Sequence, residues 1–157
     1  MADTQPSGIN GLGQIVGTYS PGGFLLSDGE FTALRVPGAS TTGAAGINDA
    51  GEIVGSCRFS FVESPAFLRS VDDQYQVFSM PDADFTFANG INNAGQVVGT
   101  YRGSGGYRGF LWQDGVMTTV DFPGASDTYA TGINDDGLIV GYFADPDGFH
   151  GFLATPQ

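Results

Sequence analysis

His150 is the only histidine of the chain and the side chain best suited to moving a proton near neutral pH. An imidazole in that role needs a partner to fix its tautomer, and a neighbouring Asp or Arg would supply one. A hydrolase or lyase site would be built that way. No nucleophile stands at a spacing that pairs with His150, so a loop hydrogen bond is the preferred reading. Cys57, the one cysteine, is a nucleophile only if its thiol is activated. It stands where other copies of a repeat carry Tyr19 and Tyr101, which favours a half-buried strand residue. Asp145-Pro146-Asp147-Gly148 sets two carboxylates around a glycine turn, a fragment of what a calcium ion needs. Further acidic ligands are missing at the loop spacing, so an ordinary acidic turn is expected and no cofactor is assigned. Trp112, the only tryptophan, suits either sugar stacking or outer-strand packing, and packing is preferred.

Charge narrows the classes of partner. The 157 residues carry a formal charge of −12, from 17 acidic residues against five arginines and no lysine. Such a surface repels phosphate backbones and anionic lipid, which argues against nucleic-acid binding and membrane adsorption. No apolar run approaches membrane-spanning length. The length suffices for one domain with a real core.

The elements that must position these residues come from a repeat. Gly-Ile-Asn-x-x-Gly-x-Ile/Val-Val-Gly occurs at Gly46–Gly55 and Gly90–Gly99, and closely related copies stand at Gly8–Gly17 and Gly132–Gly141. The turn asparagines 10, 48, 92 and 134 are separated by 38, 44 and 42 residues, a period that points to propeller blades or solenoid coils. Asn opens a turn through its side chain, and the fourth-position Gly supplies positive φ. A second landmark follows each hairpin, Phe-Leu at 24–25, 67–68, 110–111 and 152–153. A third is a turn and strand ended by Pro37, Pro81 or Pro123, with the next turn Asn 11 residues later each time. That constancy implies a rigid link.

One unit therefore has four short strands, a to d, and no segment keeps a helical period. Units of about 1–37, 38–81, 82–123 and 124–157 predict an all-β, four-bladed β-propeller of antiparallel blades. Strand a, rich in small residues such as Gly43, Ala44 and Ala45, suits the crowded position nearest the axis. The last unit lacks strand d, giving 15 strands, so the strand closing the ring is expected before position 1. The open edge of the last blade is then a place for pairing with a second copy.

The three landmarks in fixed order, with Pro-Gly-Ala-Ser-x-Thr in the links, resemble the extracellular HAF-type repeats of bacteria over nearly the whole chain. That resemblance implies a secreted, extracellular or periplasmic repeat protein and carries no shared catalytic motif. The family's histidine position survives once, as His150, where the other copies have Gly22, Pro65 and Arg108.

In such a blade the b–c loops and the d-to-a links share one end of the sheet. Sequence varies there, at 20–23, 59–65, 103–108 and 144–150, and variable loops on a rigid scaffold are the usual home of function. The candidate ligand-binding residues are Arg58, Arg102, Tyr107, Arg108, Asp127, Asp145, Asp147 and His150. The expected function is a non-catalytic binding or scaffold module that recognises a small molecule, glycan or protein at that end. The enzyme reading, using His150 with neighbouring Asp or Arg, is the alternative.

Overall fold

The computed structural model describes residues 3–61 and 63–155. Four antiparallel sheets, each a meander in chain order, make up the described residues. Sheet 1 holds β1 (Thr4–Ile9), β2 (Ile15–Tyr19), β3 (Gly22–Ser27) and β4 (Glu30–Leu34). Sheet 2 holds β5 (Thr41–Ile47), β6 (Ile53–Arg58), β7 (Ala66–Arg69) and β8 (Tyr75–Phe78). Sheet 3 holds β9 (Phe85–Ile91), β10 (Val97–Gly103), β11 (Gly106–Gln113) and β12 (Val116–Val120). Sheet 4 holds β13 (Asp127–Ile133), β14 (Ile139–Asp145) and β15 (Gly148–Ala154).

The repeated motif explains itself residue by residue. Gly13, Gly51, Gly95 and Gly137 close the first hairpin of each unit with φ between 75° and 88°. The Asn48 side chain accepts the Glu52 amide N–H at 2.9 Å, and the Gly51 N–H donates to the Asn48 carbonyl. The final glycine has a different cause. Each strand a carries a bulge, at 44–46 in β5, which presses its backbone against the neighbouring strand. A Cβ on Gly55 would collide with the Gly43 carbonyl oxygen, and Gly17, Gly99 and Gly141 meet the same obstacle in their own sheets.

The links are equally uniform. Pro37, Pro81 and Pro123 precede Gly38, Asp82 and Gly124, all at positive φ, and each turn is closed by a backbone bond such as Ala39 N–H to the Val36 carbonyl. Thr42, Thr86 and Thr128 are buried and accept link N–H groups, with Val36 N–H bonding Thr42 Oγ1 at 3.0 Å.

Consecutive sheets pack through a core of their own. Val16 and Leu34 meet Ala44, Ile53 and Phe67 between sheets 1 and 2. Val54 and Leu68 meet Ala88, Val97 and Phe110 next, and Val98 and Leu111 meet Ala130, Ile139 and Phe152 last. The inner strands β1, β5, β9 and β13 pack in series, whereas among the described residues β4, β8 and β12 do not pack on one another, so the sheets fan out from their strand-a edges. A polar ladder ties those edges together. Asn10 Nδ2 donates to the Asn48 carbonyl at 2.9 Å, Asn48 to Asn92 at 3.2 Å, and Asn92 to Asn134 at 2.9 Å. Beside it, the backbone N–H groups of Gly11, Asp49 and Asn93 donate to the side-chain oxygens of Asp49, Asn93 and Asp135.

Two expectations differ from this fold. Among the described residues the first and fourth sheets do not pack as neighbours, so no closed ring forms. Ile9 is 67% exposed, and Val140 and Leu153 are 48% and 65% exposed, where Ile47, Ile91 and the valines of the other units are buried and the leucines are half-buried. The segments 103–108 and 144–150, expected as loops, are mostly strand. Ser104-Gly105 and Pro146-Asp147 are two-residue hairpin turns, and their turn-forming composition made them look longer than they are.

Candidate functional site

Sheets 3 and 4 leave an open groove of about 580 Å³ at the hairpin-and-link end of their inner strands. Its polar lining is Asn89, Thr100 and Thr131, and its aromatic lining is Phe87, Tyr107, Tyr129 and Tyr142. The rings form a row. Tyr107 stacks on Tyr129 at 5.2 Å, Tyr129 on Tyr142 at 4.6 Å, and Phe149 meets Tyr142 edge-on at 5.8 Å. The Arg102 guanidinium caps the row 5.8 Å from the Tyr107 ring.

Strand register builds this arrangement. Arg102 pairs with Tyr107 across β10–β11, and Tyr129 pairs with Tyr142 across β13–β14, so each couple shares a face. Docking of β13 onto sheet 3 then brings the two couples together. Asp127 fixes the junction by accepting the Tyr107 N–H at 2.8 Å, and Asn89 Nδ2 donates to the Ala130 carbonyl at 2.8 Å. Burial, followed by the Asp127 carboxylate and the Tyr142 and Tyr107 rings, holds the Tyr129 phenol above its ordinary 10.0. At neutral pH it therefore keeps its proton as a hydrogen-bond donor.

Of the residues expected at a site, Arg102, Tyr107 and Asp127 gather here. Arg108 does not face the groove; it is held by Asp121 at 3.0 Å and by the Tyr107 and Ser126 carbonyls. Arg58 lines a separate hollow of about 340 Å³ between sheets 1 and 2, with Gly43 and Ser56 where the groove has Tyr129 and Tyr142. His150 Nε2 lies 3.2 Å from Asp145 Oδ1, which also accepts the Asp147 N–H at 2.8 Å. His150 pairs with Phe143 across the hairpin, on the sheet face opposite Tyr142, and packs 5.3 Å from that ring. The one histidine and the tyrosine row thus occupy opposite faces of sheet 4.

Cys57 is buried on β6, and burial, with Glu63 second, pushes its thiol up to about 11. A protonated, enclosed thiol is a packing residue at neutral pH. Trp112 stacks on Phe78 at 5.1 Å between sheets 2 and 3. No group of three or more potential metal ligands converges among the described residues.

Sequence reasoning missed Tyr129, Tyr142, Phe149 and Asn89. A signal existed for the first two: Tyr129 aligns with Gln5, Gly43 and Phe87, and Tyr142 with Thr18, Ser56 and Thr100. The other copies keep a small hydroxyl residue at the Tyr142 position, and the residue that pairs with it is aromatic only in the third copy, as Phe87, and in the fourth, as Tyr129. Comparison with protein-family models and with curated proteins finds no match to this chain.

Proposed function

We propose that the chain is a secreted, non-catalytic binding module of the HAF-type repeat class, built from propeller blades, whose groove between sheets 3 and 4 takes a neutral glycan. The stacked tyrosine row carries this reading. Sugar rings combine apolar C–H faces with hydroxyls, and the groove combines aromatic walls with the Asn89 amide, two threonine hydroxyls and three phenols. The charge of −12 disfavours anionic polysaccharides and leaves neutral ones as the fitting class.

Titration calorimetry against a panel of neutral and anionic oligosaccharides tests the reading. Tyr129→Ala and Tyr107→Ala should each weaken the best neutral ligand about tenfold or more, roughly 1.4 kcal/mol. His150→Ala should leave affinity unchanged, because that side chain lies on the other face. If no neutral glycan binds, or the tyrosine variants bind as the parent does while keeping its circular dichroism, the assignment is wrong. The hydrolase or lyase alternative rests on the His150–Asp145 couple, and turnover of a panel sugar that disappears in His150→Ala would favour it.

A further inference from the structure

The geometry points to a head-to-tail docking surface: the outer face of sheet 4 takes strand β1 of a second copy of this chain. Three internal junctions define what such a surface looks like. In each, one sheet offers a valine from strand b, a leucine from strand c and a small residue beside it, and the next sheet lays its strand a across them. Val16, Val54 and Val98 are fully covered in this way. A Cβ added at Gly23 would meet the Ala44 backbone N at 3.2 Å, and one at Gly109 the Ala130 Cβ at 3.2 Å, so the small residue is a socket for the arriving strand.

Sheet 4 keeps each part of that surface. Val140 and Leu153 stand at the valine and leucine positions, exposed, and Gly151 keeps the socket with nothing from a neighbouring sheet above it. Sheet 1 keeps the complementary half. Ile9 and Phe31 are 67% and 48% exposed where Ile47 and Tyr75 of the next unit are packed into a core. The glycine that permits the close approach of strand a is also kept in the last unit. A Cβ on Gly8, Gly46 or Gly90 would meet the Cα of Gly46, Gly90 or Gly132, whereas one on Gly132 would meet only Val140 of its own sheet. The ladder agrees: among the described residues the exposed Asn134 makes no onward side-chain bond, and the carbonyl of Asn10 receives no asparagine side chain. Gly11 offers no carboxylate, so the junction between copies would make the asparagine rung and not the one beside it.

Both halves belong to one chain and sit on its opposite ends, so the contact is heterologous and propagates as a closed ring or an open filament. It differs from pairing along the β15 edge, which would join backbone to backbone and leave Val140 uncovered. Tyr142 of the groove shares that face of sheet 4, since it pairs with the socket residue Gly151, but neither Ile9 nor Val140 lines the groove, so association of the glutamate variants in the absence of glycan tests the docking apart from the glycan reading.

Sedimentation velocity over a wide concentration range tests the docking with three proteins. The parent chain should associate as concentration rises. Val140→Glu spoils the face of sheet 4 and Ile9→Glu spoils β1, and each alone should remain a monomer. Mixed in equal amounts they should form a dimer and stop there, since one partner brings an intact β1 and the other an intact sheet 4. Both positions are exposed, and unchanged melting curves will show that the variants fold; Leu153→Glu repeats the test from a second position. A parent chain that stays monomeric at every concentration overturns the proposal. So does association that survives Ile9→Glu, the signature of edge pairing, and so does a mixture that stays monomeric.

Discussion

Gly51 and Gly55 stand four residues apart and are glycine for unrelated reasons. A Cβ on Gly51 has open space around it, so the constraint is the φ of 88° alone, and Gly51→Val should lose about 1–3 kcal/mol. Gly55 faces the Gly43 carbonyl across the bulge, and even Gly55→Ala forces the strands apart, at about 3 kcal/mol. Gly105→Ala, in open space at ordinary φ, should stay within about 0.5 kcal/mol. Denaturant titration of the three variants checks the order, and equal losses at Gly55 and Gly105 would contradict the close approach. Cys57 gives a pH signature instead. Unfolded, its thiol returns to 9.0; folded, burial holds it at about 11. As pH rises through that window the unfolded chain sheds the proton first, so the folded state binds more protons and its stability falls. Melting temperatures on either side of pH 9 should show this slope, and Cys57→Ala should remove it.

At the scale of strands and turns, the asparagine of each hairpin does more than open a turn. Asn92 is 3% exposed, accepts the Ala94 and Gln96 N–H groups, and donates to Gln96 Oε1 and the Asn134 carbonyl. Asn92→Ala should therefore cost about 3 kcal/mol, and Asn134→Ala, at the exposed end of the ladder, under about 1 kcal/mol. Thermal melts of the two variants compare an inner rung with an outer one. The turn itself was legible, because its backbone is dictated by neighbours in sequence. The bond to the next unit was not, since it spans 38 to 44 residues and depends on sheets docking. The same distinction separates the strands from the groove. Alternation, Asn-x-x-Gly and Pro-Gly are local signals, and they place the strands well. Tyr107 and Tyr129 are 22 positions apart and meet only through the packing of β13 on sheet 3. The tight turns at Ser104-Gly105 and Pro146-Asp147 looked like long loops because Gly, Pro and Asp mark both.

For the whole molecule, the sequence conveys a repeat of sheets but not how the series ends. Closure depends on the rotation from each sheet to the next, which no single unit encodes. The observed fan leaves the two terminal faces uncovered, and with them Ile9, Val140 and Leu153. Every rung of the asparagine ladder also points the same way, from Nδ2 of one unit to the carbonyl of the next. The array thus behaves like a tape with a direction and no preferred length. Cutting before one asparagine and rejoining at another restores the same junction, so loss or gain of a whole period leaves the local grammar intact. Excision of residues 48–91 sets Asn92 directly after Ile47 and joins β5 to β10 through an unaltered turn. The shortened chain should still melt in one cooperative transition, at a lower temperature for want of one core, whereas an excision longer or shorter by half a period should not fold. A genome could lengthen or shorten such a protein by slippage between its own copies, without having to mend the seam.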